Sequence, residues 1–258
     1  MPRTARSRSH TGIYHIMLRS INKQIIFIDR EDHLRYLDTL LRFKTKSGYK
    51  LYGYCLMGNH IHLLIQECEE DIAQVMKRIG VSYVYWYNKK YNRVGHLFQD
   101  RYKSEIVEDD SYLLAVLRYI HQNPVIAKIV KEINEYQWSS YRDYQSSHSA
   151  FIDCIYILNI FNSNREKARE QFNSFMKQAG QDTFLDLEEE SIKEWSDEAV
   201  IEEIYNLSGQ SDPKALSTYK KERRNEILLG LREAGITIRQ LSEVTGLGRS
   251  VVERVTRQ

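Results

Sequence analysis

The sequence predicts an α+β fold, an antiparallel sheet with helices on one face, followed by a helical C-terminal region that closes in a helix-turn-helix. Three observations predict it. Between residues 12 and 123, short strand-like runs and longer helix-like runs follow in the order strand, helix, strand, strand, helix, strand, helix. Two of the strand runs are separated only by Gly58-Asn59, a turn dipeptide, which makes them a hairpin and so antiparallel neighbours. Beyond Tyr144 the pattern changes to a mixed, partly acidic helical region and then to a basic end.

The elements follow in order. Gly12–Arg19 alternates loosely, Ile13, His15 and Met17 against Tyr14, Ile16 and Leu18, and reads as a first strand. Asp29 caps a helix over Arg30–Thr45, where Leu34, Leu37, Leu40 and Leu41 recur at helical spacing, and Ser47-Gly48 breaks it. Tyr49–Met57 and Ile61–Gln66 form the hairpin. Asp71–Tyr91 is a second helix with Ile72, Val75, Met76, Ile79 and Tyr83 on one face. Tyr102–Val107 is a fourth strand. Asp109 or Asp110 then caps a third helix running to Asn123, where Pro124 disfavours helical geometry in the residue before it. This order suits a ferredoxin-like sheet with one added helix. Near the end, two short amphipathic helices flank Gly246, with Leu241, Val244, Leu247, Val251, Val252 and Val255 available for packing, which fits a helix-turn-helix. The expected organisation is a first domain over 1–148, a helical, partly acidic connector over 149–202, and a DNA-binding domain over 203–258.

Composition narrows the class. Of 258 residues, 42% are hydrophobic and only 12 are Gly and 3 Pro, so a core can form and the chain is neither disordered nor fibrous. No apolar run is long enough to span a bilayer and the basic N-terminus lacks a signal-peptide pattern, which predicts no membrane partner and a cytoplasmic, nucleoid-associated protein. Cys55, Cys68 and Cys154 have no C-x-x-C spacing, so neither a disulfide framework nor a thiolate zinc site is expected. The formal net charge of +2 conceals segments of opposite sign. Arg3, Arg6, Arg8, Arg19 and Lys23 precede the first acid at Asp29, and Lys77, Arg78, Lys89, Lys90, Arg93, Arg101 and Lys103 face only Asp100. Residues 182–203 are acidic, with Lys193 the one base, and do not suit nucleic acid.

His60 and His62 lie two apart in a predicted strand, so both imidazoles project from one face and can share a metal ion. Alone, this pattern is more often an ordinary half-buried strand. Tyr119 and Asn123 lie four apart on the third helix and share a face, beside the apolar stripe of Leu113, Leu117 and Ile120. That pairing can set a phenol nucleophile next to an oxygen-type ligand, a mix that suits Mg²⁺ or Mn²⁺. With 18 tyrosines in the chain, Tyr119 taken alone reads as a packing residue.

Four linked motifs resolve these alternatives. Gly58-Asn-His-Ile-His-Leu-Leu64, Gly95-His-Leu-Phe-Gln-Asp-Arg-Tyr-Lys-Ser104, Arg118-Tyr-Ile-His-Gln-Asn-Pro-Val125 and Trp138-Ser-Ser-Tyr141 resemble, in order and spacing, the REP-associated tyrosine transposases, which are single-tyrosine HUH nucleases. The resemblance spans roughly residues 10 to 145. It implies His60, His62 and Asn123 as metal ligands, Tyr119 as nucleophile, a 5′-phosphotyrosine intermediate, Mg²⁺ or Mn²⁺ as cofactor, and single-stranded, hairpin-forming DNA as substrate. Asp100, where relatives often carry glycine, and Arg19-Ser20-Ile21-Asn22, where they often carry Arg-Gly-Asn, depart from the pattern at positions that touch neither metal nor nucleophile. The C-terminal helices resemble the DNA-binding end of the replication initiator DnaA over a short span.

The DNA contacts expected from charge are Arg6, Arg8, Arg19, Lys89, Lys90, Arg93, Arg101 and Lys103 in the first domain, and Arg239, Arg249 and Arg254 in the last. Tyr83, Tyr85, Trp86, Tyr87 and Tyr91 either stack bases or pack a face. His96 and His121 read as hydrogen-bonding or DNA-contact residues rather than ligands. Two other readings remain open on sequence: a regulator that binds DNA without cutting it, and a metal hydrolase using the histidine pair. The state of assembly, monomer or dimer, is not encoded in any of these features.

Overall fold

The computed structural model describes residues 7–146, 149, 151–178, 184, 197–210, 212–234, 236 and 238–256. The chain divides into two units, Met1–Leu185 and Asp186–Gln258. The first contains β1 (Ile13–Arg19), α1 (Arg30–Ser47), β2 (Lys50–Leu56), β3 (His60–Gln66), α2 (Ile72–Lys90), β4 (Lys103–Val107), α3 (Asp110–Ile126), α4 (Tyr141–Gln145), α5 (Cys154–Phe161) and α6 (Arg165–Met176). The four strands form one antiparallel sheet in the order β2-β3-β1-β4, the ferredoxin-like arrangement.

Local chemistry sets the helix ends. Asp29 accepts the amide of Asp32 while the Asp32 carboxylate accepts the amide of Asp29, a reciprocal cap at the start of α1. Gly48 closes the same helix in the left-handed region at φ 68°, at the expected break, and the helix runs to Ser47 rather than Thr45. The expectation that α3 stops at Asn123 is corrected: the helix runs through Pro124 to Ile126. Proline removes one amide donor, and in a final turn the loss is limited because Ala127 and Ile129 still donate to the carbonyls of Asn123 and Pro124.

Strand register places His15, Met17 and Arg19 of β1, His60, His62 and Leu64 of β3, Lys103 and Glu105 of β4, and Gly53 of β2 on one face of the sheet. That face is covered by α3, the added helix. The opposite face, with Ile16, Ile61 and Leu63, is fully buried as well, on the side of the paired helices α1 and α2. The free edge of β2 is closed by the segment ending at Ser140: Leu56 donates to the Trp138 carbonyl and Ser140 donates to the Tyr54 carbonyl. The indole of Trp138 stacks on His33 at 4.0 Å, and His33 stacks on Phe27 at 4.4 Å.

The connector expected over 149–202 is divided between the units. Helices α5 and α6 belong to the first, where Phe172 of α6 stacks on Tyr144 at 4.4 Å. The second unit comprises α7 (Asp197–Ser208), a 3₁₀ turn (Pro213–Thr218), α8 (Lys221–Glu233), α9 (Ile238–Thr245) and α10 (Arg249–Thr256). Its own core contains Val200, Ile204, Leu216, Leu228, Leu231, Leu241 and Val252, so α7 and the 3₁₀ turn are part of the unit and not a bridge to it. Gly246, at φ 70°, joins α9 to α10. Among the described residues no helix is long and apolar enough to cross a membrane.

A methyl group built on Gly53 would meet Leu117 Cδ1 of α3 at 2.5 Å. Leu117 is fully buried and has nowhere to turn. Gly53→Ala therefore overpacks the junction between sheet and α3 and should cost about 1–3 kcal/mol, read as a lowered melting temperature. His121 offers a second measurement. Burial pushes its imidazole down to about 3. The unfolded chain binds this proton below about pH 6.5 while the native state refuses it, so stability should fall steadily as pH drops from there towards 3. Replacing His121 with Gln should flatten that acid limb in chemical denaturation, and an unchanged limb would assign the loss to other groups.

Candidate metal and nucleophile site

Strand β3 carries the paired histidines and α3 brings the other two residues to them. Asn123 Oδ1 lies 3.2 Å from His60 Nε2, and Asn123 Nδ2 lies 3.4 Å from His62 Nε2. The ring of Tyr119, one turn earlier on α3, stands edge-on to His62 with centroids 5.7 Å apart. The four residues that the resemblance singled out are thus adjacent. His62 is fully buried, Tyr119 and Asn123 nearly so, and His60 is half-buried.

Donor and acceptor accounting tests whether a cation fits. Asn59 Oδ1 lies 2.8 Å from His60 Nδ1, and an amide oxygen can only accept, so Nδ1 carries the ring proton. His60 Nε2 then presents a lone pair to Asn123 Oδ1, itself an acceptor, at 3.2 Å. Two facing lone pairs repel, and a cation between them would remove the conflict. Burial pushes the His62 imidazole far below the ordinary histidine value, and His60, His15 and Arg19 push the same way. The ring is neutral near pH 7, which is the ligating form. Among the described residues no group of three or more His, Cys, Asp and Glu is arranged for a metal; the candidate donors at this place are two imidazoles and one amide. Such a set suits a divalent ion that tolerates mixed nitrogen and oxygen ligands.

Residues 8–123 match the family model described as Transposase IS200 like. That segment is similar to the IS200-like transposases. No curated protein matches the chain significantly. Among solved structures, a REP-associated tyrosine transposase bound to a REP hairpin shares the fold with a TM-score of 0.50 at 13% identity, over 57% of this chain and 87% of that one.

The cations are distributed less simply than their order in the chain suggests. Lys89, Arg101 and Lys103 are exposed, as are Arg249 and Arg254 of the second unit. Arg8 is also exposed and pairs with Asp71 at 3.5 Å. Arg19 is half-buried at the end of β1, opposite His60 in register. Arg93 donates to Gln24 at 2.8 Å and lies over the Tyr87 ring. Lys90, expected as a DNA contact, is held within the fold: its ammonium sits 2.7, 2.9 and 2.8 Å from Asp29, Glu31 and Asp32, which surround it with negative charge. Arg6 and the side chain of Arg239 lie outside the described residues. The aromatic run resolves in the same way. The hydroxyls of Tyr83 and Tyr87 donate to the carbonyls of Ile26 and Ile25 within the core, and that of Tyr91 donates to Asp32, whereas Tyr85 is 73% exposed.

Four further residues of the site carry no site role in the sequence reading. Asn59 orients His60, His15 Nε2 lies 3.1 Å from His62 Nδ1, and Glu105 Oε2 lies 3.4 Å from His15 Nδ1. Burial opposes ionisation of Glu105, but hydrogen bonds from His15 and Tyr112 outweigh it and hold the carboxyl below its ordinary value. Phe184 stacks on the Tyr119 ring at 4.4 Å. The strand alternation could have revealed His15, since it puts His15 on the same side of β1 as Met17 and Arg19; nothing local marks Glu105 or Phe184.

The fate of Lys90 yields a prediction. Lys90→Met leaves the buried Asp32 carboxylate without its cation and should destabilise the domain by about 1–3 kcal/mol. Its effect on the salt dependence of DNA binding should be negligible, because the charge it removes is already neutralised. Lys89→Met should behave in the opposite way, with stability intact and a shallower salt slope.

Proposed function

We propose that the protein is a metal-dependent, single-tyrosine nuclease and strand transferase that cuts and rejoins single-stranded, hairpin-forming DNA. The observation that carries this reading is the convergence of His60, His62 and Asn123 beside Tyr119, with the acceptors His60 Nε2 and Asn123 Oδ1 facing each other. The match of residues 8–123 to a transposase family supports it, and so does the hairpin bound to the structural neighbour.

The steps follow from the side chains. His60, His62 and Asn123 would hold Mg²⁺ or Mn²⁺, which when bound polarises the scissile phosphate and offsets negative charge in the transition state. The Tyr119 oxygen attacks phosphorus and gives up its proton, the bond from phosphorus to the 3′-oxygen breaks, and that oxygen leaves as a 3′-hydroxyl. The product is a 5′-phosphotyrosine. A second 3′-hydroxyl attacking the same phosphorus frees Tyr119 and joins new ends, so no nucleotide cofactor is consumed. The rigid seating of α3 against the sheet, through Leu113, Val116, Leu117 and Ile120, holds Tyr119 beside the histidines without any rearrangement of the helix. Exposed Lys89, Arg101 and Lys103 supply phosphate contacts, and the pair α9–α10 acts as a helix-turn-helix in which Arg249 and Arg254 meet duplex DNA.

Incubation with a labelled hairpin carrying a single-stranded flank, in the presence of Mn²⁺, should give a covalent species that resists denaturant and disappears on proteolysis. Tyr119→Phe should abolish it while DNA binding and melting temperature stay near those of the parent protein. His60→Ala, His62→Ala or excess chelator should do the same. DNA binding without any adduct in the parent protein would establish a non-catalytic regulator. For the second unit, Arg249→Ala with Arg254→Ala should weaken binding to duplex-flanked hairpins at low salt and reduce the slope of log K against log salt by about 1.8. An unchanged slope would remove the duplex role.

A further inference from the structure

Two buried imidazoles in hydrogen-bond contact have a shared question to settle, namely which nitrogen of each carries the proton. His15 Nε2 and His62 Nδ1 are 3.1 Å apart, and both rings are fully buried. If His15 donated from Nε2, its Nδ1 would present a lone pair to the Glu105 carboxylate, which also can only accept, at 3.4 Å. The His62 proton would then sit on Nε2, pointing at the Nδ2 group of Asn123, a donor facing a donor. The reverse arrangement satisfies all three of these contacts. His15 Nδ1–H donates to Glu105, His15 Nε2 accepts from His62 Nδ1–H, and His62 Nε2 keeps a lone pair that faces Asn123. Glu105 is in turn held by the Tyr112 hydroxyl of α3.

We propose that Glu105 and His15 form a positioning relay that fixes His62 in the tautomer and ring orientation needed to ligate a divalent metal through Nε2. The proposal rests on the metal reading above. The relay runs across the sheet from β4 through β1 to β3, His15 being the direct partner of Glu105 and a diagonal neighbour of His62 on the same face. Asn59 performs the matching task for His60 with a single hydrogen bond. Partners of this kind raise ligand basicity and remove rotational freedom, and losing one weakens metal binding by about 10–100-fold.

The test uses the full chain, with ¹⁵N-labelled histidines for NMR and Mn²⁺ titration for affinity. In the metal-free parent protein, His15 and His62 should both show protonation at Nδ1. His15→Phe keeps an aromatic ring in the buried position but no acceptor. His62 should then lose its single Nδ1-protonated signature, and Mn²⁺ affinity should fall about 10–100-fold. His15→Gln returns an amide oxygen near the place of Nε2 and should recover most of that affinity. A residue that merely fills space gives the reverse order, with Phe tolerated and Gln harmful, and that result would overturn the relay. Glu105→Met keeps a half-buried side chain of similar length but removes the acceptor, so the fold should persist at a somewhat lower melting temperature while the His15 tautomer shifts and Mn²⁺ binding weakens. Unchanged tautomers and affinity in Glu105→Met would also overturn it. Failure of the underlying metal reading looks different: Mn²⁺ would leave the His60 and His62 signals of the parent protein unmoved, while the tautomers in the same spectra still decide the relay.

Discussion

The close seating of α3 on the sheet at Gly53 is the constraint from which the site follows. With no side chain at that position, Leu117 enters the space a methyl group would occupy, and the helix comes near enough for Asn123 to reach both histidines of β3. A helix held farther off would leave the same four residues in the chain but not in one place. The Leu113, Val116, Leu117 and Ile120 stripe supplies the apolar area that holds the approach, and Tyr119 and Asn123 occupy the adjoining face because they are one turn apart. Closure of the β2 edge by Trp138 and Ser140 secures the other side of that contact, since the same Ser140 hydroxyl that receives the Tyr54 amide lies 2.8 Å from His121 of α3.

The site is electrostatically unusual in being crowded with acceptors and poor in charge. Both candidate ligand rings have a proton partner on the side away from Asn123, so their remaining lone pairs face its amide, that of His60 the oxygen and that of His62 the nitrogen. The facing acceptors His60 Nε2 and Asn123 Oδ1 are unfavourable on their own, and a cation or a proton between them relieves the conflict. This explains why the neighbouring Glu105 and Asn59 matter chemically although neither faces that position.

Surface charge is divided between structural and exposed roles in a way that composition conceals. Lys90 is drawn onto the capping carboxylates of α1, where it also lies over the ring of Trp86 at 5.1 Å, and so ties the end of α2 to the start of α1. Arg93 is held by Gln24 and Tyr87 nearby. The cations that keep their exposure, Lys89, Arg101 and Lys103, come from the end of α2 and the stretch leading into β4. The second unit keeps its own core, with Leu241, Leu247 and Val252 buried around the Gly246 turn, and leaves Arg249 and Arg254 exposed.

The sequence by itself determined the order of elements, the sheet class, the shared face of His60 and His62 and the shared face of Tyr119 and Asn123. These depend on periods of two and near four residues, on caps such as Asp29 and on breaks such as Gly48, all of which are local. Tertiary structure decided the rest. It brought Glu105 and His15 behind His62 through pairing across three strands, turned Lys90 inward, buried Tyr83 and Tyr87 rather than exposing them, and assigned α5 and α6 to the first unit. Each of these outcomes depends on which distant groups meet, and a hydrogen bond between residues 47 or 90 positions apart leaves no period in the chain to read.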